Sequence, residues 1–149
     1  MKWMGRIIIY FVVCGFSSSY NEQKPIKLNW RQLEFSSTTS WSEEYQAEFS
    51  TPIFTEKHKS LHKKVIQITG SIVPVDVLEG YYILTDKWDS HMFCCGFPDP
   101  DKVMELKFSE GKTPKCKLGE KYTVVGTLNL NEKDILSYNY ILTDAELVK

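Results

Sequence analysis

Apolar and polar residues alternate in five short runs of the chain, and a period of two is typical of half-buried β-strands. In the first run, residues 64–75, the apolar Ile66, Ile68 and Ile72 fall on one face and polar residues such as Gln67 on the other. The four later runs span residues 80–85, 102–108, 122–130 and 139–145. No stretch after residue 19 keeps a long helical period, so the pattern predicts an all-β fold with minor helix.

One pentapeptide, Tyr-Ile-Leu-Thr-Asp, occurs twice, at residues 82–86 and 140–144. Each copy follows a strand-like run with a glycine near its middle, Gly70 in the first case and Gly126 in the second. A glycine inside a strand is typical of a bulge or sharp coil, which lets a long strand serve both sheets of a small barrel. We therefore predict one hairpin built twice. Chance among strand-favouring residues is the alternative explanation of the repeat.

The five predicted strands match the strand count of the oligonucleotide/oligosaccharide-binding (OB) barrel. We therefore predict a five-stranded OB-fold-like barrel over residues 51–149, preceded by an N-terminal arm over residues 20–50. The arm is polar, and isolated apolar residues such as Trp30 and Leu33 are expected to pack it over the barrel. Asn29 is predicted to cap one short helical turn there.

The start of the chain has the three parts of an export signal. Lys2 and Arg6 give a basic beginning, residues 7–16 form an apolar run and residues 17–19 are small serines suited to cleavage. The apolar run is too short to span a bilayer as a finished helix. We therefore predict a signal peptide over residues 1–19 and an exported protein of the periplasm.

Two alternatives for this segment stay open. In one it is retained uncleaved as an anchor. In the other Cys14 is lipidated, although the preceding residues 11–13 lack the small side chain usual at such sites. In either case the protein is anchored in the cell envelope, and it reaches the membrane only through this segment.

The charge balance limits the classes of partner. The chain has 18 basic and 19 acidic side chains, and removal of residues 1–19 takes away two basic ones, so the mature charge is 16 − 19 = −3. A negative surface is a poor match for a phosphate backbone, so nucleic acid is not expected as a partner. The sequence shows no nucleophile beside an evident base and no phosphate-binding glycine loop, so no enzymatic activity is predicted.

Residues 87–101, between the second and third predicted strands, concentrate the special chemistry of the chain. This loop holds two of the three cysteines that follow the signal, together with a histidine, a glycine and two prolines. His91 and Cys94 are three positions apart, close enough to converge on one soft or borderline ion such as zinc or copper. The candidate ligands of this metal site are His91, Cys94, Cys95, Cys116 and, as an alternative member, Asp89.

A disulfide is the alternative explanation of the same cysteines. Export places them in an oxidising compartment, where disulfides persist. A bond from Cys95, or from Cys94, to Cys116 would close about twenty residues and stabilise the fold by about 3 kcal/mol. The loop would then be pinned without a metal. A reactive thiol of low pKa is a third hypothesis.

Two further groups of residues have a functional and a structural interpretation. His58 and His62 would share a face if residues 55–63 are helical, but four lysines surround them, so an ordinary solvated face is expected rather than a metal site. Several aromatic side chains would form a stacking platform of the kind that OB domains use, but core packing is the expectation in an acidic exported protein. These side chains are Tyr81, Tyr82, Trp88, Tyr138 and Tyr140.

A series of short motifs occurs in a recognisable order. The motifs are residues 64–74, 93–96, 103–106, 125–131 and 140–146, with Trp30, Leu33, Pro52 and Phe54 in the preceding part. Their order resembles an uncharacterised family of exported bacterial proteins, a domain of unknown function with an OB-like barrel and a Cys-containing loop. The resemblance implies work in the cell envelope beside transporter components, or in metal handling.

The loop departs from the family pattern at one position. Relatives similar to this chain carry Cys-x-x-Cys-Gly, and here Cys95-Gly96 matches the second half while Met92 occupies the place of the first cysteine. An inherited dithiol or metal site therefore requires Cys94 or His91 to substitute for the missing group.

Together these observations predict a non-enzymatic binding or accessory module of the cell envelope, with a transition-metal or partner site in its Cys/His loop. The expected partner is an envelope transporter component or another exported protein. The alternative is a structural interaction domain whose loop is pinned by a disulfide and holds no metal.

Overall fold

The computed structural model describes residues 24–89, 99–109, 112 and 114–148. The predicted signal peptide lies outside these residues. The described secondary structure, in chain order, is β1 (Ile26–Lys27), a 3-10 helix (Trp30–Leu33), β2 (Ser36–Ser42), β3 (Ala47–Ile53), α1 (Glu56–Leu61), β4 (Val65–Asp76), β5 (Tyr81–Thr85), a second 3-10 helix (Pro100–Lys102), β6 (Val103–Phe108), β7 (Lys121–Leu130) and β8 (Tyr140–Leu147).

Five of the strands form a closed barrel. Their order is β4-β5-β6-β8-β7, and β7 pairs again with β4. Neighbours are antiparallel except β6 and β8, which are parallel. The prediction of a five-stranded OB-fold-like barrel is confirmed, and the ends of the predicted strands differ from the observed ends by at most two residues. The short β1 extends the sheet beside β4.

The two hairpins that carry the repeated pentapeptide have the same pairing register. In the first hairpin Ser71 of β4 lies opposite Thr85 of β5. In the second, Thr127 of β7 lies opposite Thr143 of β8. Thr85 and Thr143 are the fourth residues of the two pentapeptides. The prediction of one hairpin built twice is therefore confirmed.

An approximate two-fold axis relates the hairpins where β4 pairs with β7. Ile68 lies opposite Val124, and on either side of this pair Gly70 lies opposite Tyr122 and Ile66 opposite Gly126. A rotation about this axis, which exchanges Ile68 with Val124, therefore superposes each hairpin on the other. The strand β6 has no counterpart in this symmetry and closes the barrel between β5 and β8.

Close backbone approach explains the two mid-strand glycines. A Cβ atom at Gly70 would lie 2.5 Å from the carbonyl oxygen of Thr85, and one at Gly126 would lie 2.8 Å from that of Thr143. Heavy atoms cannot approach so closely without displacing the backbone. Glycine is therefore required at equivalent points of the two hairpins, where β4 and β7 cross their partner strands.

The arm closes one end of the barrel with its 3-10 helix. Trp30 Nε1 donates a 2.9 Å hydrogen bond to the carbonyl oxygen of Thr69 in β4. Leu33 is fully buried and belongs to the same apolar cluster as the barrel interior. Asn29 occupies the predicted N-cap position, and its backbone N–H donates to Gln32 Oε1 at 2.9 Å.

The arm also contains a hairpin that the sequence pattern does not predict. Strands β2 and β3 pair antiparallel over their whole length, from Ser36 opposite Ile53 to Ser42 opposite Ala47. Six of the seven residues of β2 are serine or threonine, so there is no apolar alternation for a sequence argument to detect. Strand β3 continues across position 50, from the arm towards the barrel.

The expectation of a solvated face for His58 and His62 is wrong for His58. Its side chain is only 4% exposed and packs against Phe54. Its Nδ1 atom accepts a 3.1 Å hydrogen bond from the backbone N–H of Thr55 and so caps the helix. The helix has one buried face, formed by His58 and Leu61, and this face takes the histidine inward while His62 stays exposed.

Candidate functional site

A second apolar cluster lies on the outer face of the barrel. Val73 of β4, Ile83 of β5 and Val103 of β6 are buried there, although their neighbours along each strand point into the barrel. An outward-facing residue is buried only if something covers it. The partly buried side chains packed against these three residues are Tyr81, Trp88 and Tyr138.

The loop between β7 and β8, residues 131–139, supplies Tyr138 and is held in shape by its own polar groups. The side chain of Asn131 donates to the carbonyl oxygen of Asp134 at 2.7 Å and accepts from the backbone N–H of Asp134 at 2.9 Å. The carboxylate of Asp134 in turn accepts from the backbone N–H of Leu136 at 3.0 Å and from the hydroxyl of Ser137 at 2.8 Å. Hydrogen bonds between the loop's own residues therefore pre-organise it.

This rigid loop presents apolar side chains to solvent. Ile135 is 40% exposed and Leu136 is 80% exposed. Their backbone is fixed by the Asn131 and Asp134 hydrogen bonds, so the two side chains cannot readily turn inward. An apolar patch held outward in this way is typical of an interaction site.

A cleft of about 450 Å³ lies between the loop and the barrel face. We call it the tyrosine cleft. Its lining residues are Tyr81, Pro100, Val103, Ile135, Leu136, Ser137, Tyr138 and Asn139. The position corresponds to the face of the second and third strands and the loop between the fourth and fifth strands, where OB barrels bind ligands.

The phenol groups of the two tyrosines at the cleft are close enough to influence each other's ionisation. Burial, with the neighbouring Tyr138 and Glu105, raises the pKa of Tyr81 to about 12. Burial also raises the pKa of Tyr138. Glu105 itself is only 8% exposed and lies close enough to act on both phenols. Both phenols are therefore neutral at physiological pH and act as hydrogen-bonding groups rather than as bases.

Most polar groups of the cleft are already engaged within the protein. Asn139 Nδ2 donates to the carbonyl oxygen of Asn131 at 3.2 Å, and the hydroxyl of Ser137 is bound to Asp134. What the cleft offers to a ligand is therefore mainly apolar surface, which suits apolar side chains better than the hydroxyl-rich surface of a sugar.

The turn between β4 and β5 adds further exposed apolar residues next to Tyr81. Val77 is 61% and Leu78 is 97% exposed. The carboxylate of Asp76 accepts hydrogen bonds from the backbone N–H groups of Leu78, at 2.9 Å, and of Glu79, at 3.1 Å. This turn and the β7–β8 loop occupy equivalent places in the two related hairpins, and each displays a leucine.

The aromatic residues singled out from the sequence divide into two sets. Tyr82 and Tyr140 are buried in the barrel, as expected for core packing. Tyr81, Tyr138 and Trp88 pack on the outer face instead. Sequence reasoning did not single out Ile135 and Leu136, which line the cleft. Two adjacent apolar residues inside an otherwise polar turn were the signal that could have revealed them.

The predicted Cys/His site is only partly covered by the structure. His91, Cys94 and Cys95 lie outside the described residues. Cys116 is half-buried and packs against the barrel core, and its burial raises the pKa of its thiol. Within the described residues, no group of three or more His, Cys, Asp or Glu side chains is placed to hold a metal ion.

One contact links the two segments that carry the cysteines. A Cβ atom at Gly119 would lie 3.1 Å from Cδ1 of Trp88, so the indole packs against this glycine. Trp88 stands at the start of the predicted Cys/His loop, and Gly119 is three positions after Cys116. The backbone of Gly119 has a φ of +82°, which favours glycine there for conformation as well as for space.

Comparisons with protein-family models, with curated proteins and with solved structures find no match for this chain. The resemblance to an exported bacterial family therefore stays a prediction. In the part of the chain that the structure describes, no helix has the length and apolar character needed to cross a membrane.

Proposed function

We propose that this protein is an exported, non-enzymatic binding module of the cell envelope that takes an apolar part of a partner protein into the tyrosine cleft. The partner is an envelope transporter component or another exported protein. One observation carries the proposal. A loop fixed by its own hydrogen bonds keeps Ile135 and Leu136 exposed to solvent at the cleft.

The energetic argument concerns the unbound protein. An exposed leucine gains roughly 1.5–3 kcal/mol when a partner buries it fully. A loop that is already ordered loses little conformational entropy on binding, so most of this gain is retained. Leu136 satisfies both conditions, because it is exposed and because its backbone N–H is bound to Asp134.

A binding role is favoured over catalysis by the chemistry of the cleft. Its described lining residues supply phenols of raised pKa, one amide, one serine already bound to Asp134, and apolar side chains. A hydrolase or transferase site needs a nucleophile next to a base whose pKa lies near the working pH. The cleft is better suited to hold a ligand than to transform it.

Site-specific photo-crosslinking in the producing cell tests the proposal. A photoreactive residue at Leu136 is expected to give one discrete protein adduct, which disappears when Tyr138→Ser is added. The matched control is Leu118, which is also exposed but lies in the turn before β7. Equal adducts at Leu136 and Leu118, or none at Leu136, would overturn the proposal. Fractionation and N-terminal sequencing of the same samples test export and cleavage.

For the Cys/His loop we keep two proposals, a transition-metal site and a disulfide to Cys116. The contact between Trp88 and Gly119 supports the disulfide, because it holds the start of the loop against the segment that contains Cys116. Intact mass of protein purified without reductant separates them. A loss of two mass units without metal supports the disulfide. One zinc or copper per chain, lost in His91→Ala, supports the metal site.

A further inference from the structure

The segments around the tyrosine cleft carry an excess of negative charge. They are residues 76–81, 99–107 and 131–139, which include the turn after β4, strand β6 and the β7–β8 loop. Their seven acidic and three basic side chains give 3 − 7 = −4. The acidic residues are Asp76, Glu79, Asp99, Asp101, Glu105, Glu132 and Asp134.

Two of the three lysines form ion pairs with carboxylates in these segments, and one of the two also pairs with Glu34 of the arm. Lys102 Nζ lies 2.7 Å from Glu34 and 3.4 Å from Asp101. Lys107 Nζ lies 3.4 Å from Glu105, and its charge also helps to lower the pKa of Asp134. Lys102 and Lys107 are therefore already paired with nearby carboxylates. The cleft is an apolar surface surrounded by acidic side chains.

A group of basic residues lies near the start of the β7–β8 loop, where Lys59 lines a second pocket together with Glu132 and Lys133. Residues 56–64, which contain α1 and its end, hold four lysines and one glutamate. The excess of negative charge is a property of the segments around the cleft, because the net charge of the whole chain is only −1. Such an excess of charge selects ligands by sign and speeds the encounter with positive ones.

We propose that the tyrosine cleft recognises a segment of a partner protein in which apolar side chains alternate with basic ones. The apolar side chains would bury Ile135, Leu136 and the tyrosine rings, and the basic ones would pair with the acidic residues of the surround. This inference rests on the proposed function and names the chemistry of its partner.

A lipid surface is a poorer occupant of the same site. The exposed Leu78 and Leu136 resemble residues that insert into membranes, but each lies close to acidic neighbours, Glu79 in one case and Asp134 in the other. An anionic bilayer surface attracts basic segments and repels such acidic loops. A basic and apolar peptide satisfies both features of the cleft.

Three blocked peptides of about twelve residues test the inference by calorimetry on the purified native protein. One alternates leucine with lysine, one leucine with glutamate and one leucine with serine. We expect the leucine–lysine peptide to bind at least about tenfold more tightly than the leucine–glutamate peptide at low salt. This difference in affinity should become smaller at high salt, because salt screens the charges. Vesicles that contain phosphatidylglycerol are expected not to bind.

Two pairs of variants locate the effect. Leu136→Ser is expected to weaken binding of the leucine–lysine peptide about tenfold, whereas the matched Leu118→Ser leaves it unchanged. The double change Glu79→Gln and Glu132→Gln is expected to reduce the preference for lysine over serine. The same change at the exposed Glu43 and Glu44 of the β2–β3 turn serves as its control.

The outcomes separate this inference from the proposed function. If the leucine–serine peptide binds as tightly as the leucine–lysine peptide and Leu136→Ser weakens both, the cleft binds apolar segments and the charge preference is wrong. If no peptide binds, both proposals fail. Binding to the vesicles that is lost in Leu136→Ser would replace the protein partner with a membrane.

Discussion

The hydroxyl group of Tyr140 donates a 2.6 Å hydrogen bond to the backbone carbonyl of Leu33, which lies 107 positions earlier in the chain. Both residues are fully buried. Tyr140 begins the second copy of the repeated pentapeptide, and Leu33 ends the 3-10 helix of the arm. The bond therefore joins the last barrel strand to the segment that closes the barrel.

Tyr140→Phe is expected to destabilise the protein by about 1–3 kcal/mol, because it leaves the buried carbonyl of Leu33 without its partner. Urea denaturation measures the change. Tyr45→Phe removes the same hydroxyl from an exposed side chain and should change the unfolding free energy by less than about 0.5 kcal/mol. Equal stability of the two variants would show that the arm is not held by this bond.

Gly70→Ala and Gly126→Ala are expected to destabilise the barrel by similar amounts, about 2–3 kcal/mol each, because each new methyl group meets the carbonyl of the equivalent threonine. Gly80→Ala is the control. A methyl group at this position would meet no atom within 4 Å, but the backbone of Gly80 has a φ of +69°, which disfavours alanine. A loss of stability of about 1 kcal/mol is therefore expected. A cost at Gly126 no greater than at Gly80 would contradict the close approach.

The stability of the protein should fall as the pH decreases below about 6.5, the ordinary pKa of histidine. Burial, with the nearby charge of Lys57, lowers the pKa of His58 in the folded state. The unfolded chain therefore binds the proton first, and stabilisation by the neutral side chain is complete above about pH 6.5 and is lost as the pH falls through the lowered pKa. Urea midpoints from pH 5 to 8 measure the slope, at most about 1.4 kcal/mol per pH unit.

His58→Phe keeps a ring in the same space and removes the titrating group. We expect this variant to lose part of the pH dependence, together with the cap that Nδ1 provides to Thr55. A slope identical to that of the unchanged protein would mean that other groups carry the acid sensitivity.

The thiol of Cys116 should react slowly with disulfide reagents at neutral pH, because burial raises its pKa and shields it against the barrel core. The measurement uses a chain in which Cys14, Cys94 and Cys95 are changed to serine. We expect the reaction to accelerate at least about tenfold in urea. Equal rates in the folded and unfolded protein would show that this thiol is open to solvent.

Asn131→Ala should disorder the β7–β8 loop with little effect on the barrel. Its side chain bonds with both backbone groups of Asp134, and these bonds fix the part of the loop that displays Leu136. We expect faster amide exchange in residues 131–139 and weaker binding at the tyrosine cleft. Thr123→Ala, which removes a hydrogen bond to Thr69 between β7 and β4 instead of one in the loop, is the comparison. Unchanged exchange in the loop would argue against pre-organisation.

The strands of the barrel could be predicted because their information is local. The alternation around Ile66 and Ile68, and the pentapeptides that begin at Tyr82 and Tyr140, each occupy a short window of the sequence. The period of two assigns alternate residues to the buried face, independently of the rest of the chain. The same local logic correctly placed the cap at Asn29.

Packing and strand pairing decided the features that sequence reasoning missed. His58 looked solvated beside its lysines, but the short helix turns it onto Phe54. The serine-rich strand β2 forms because β3 supplies a hydrogen-bonding partner. In the first case Phe54 itself packs on Tyr140 of the last barrel strand, a contact that a sequence window does not include. In the second, hydrogen-bonded pairing takes the place of the apolar alternation that a sequence argument looks for.

The sequence by itself determined the five strands, their repeated hairpin and the concentration of cysteines in one loop, because periodicity and residue identity are properties of the chain alone. Only the tertiary structure decided which aromatic residues meet. It placed Tyr82 in the core and the adjacent Tyr81 on the outer face, beside Tyr138 from a loop more than fifty positions away. A cleft needs the closure of the barrel to bring such surfaces together, and closure depends on pairing between distant strands.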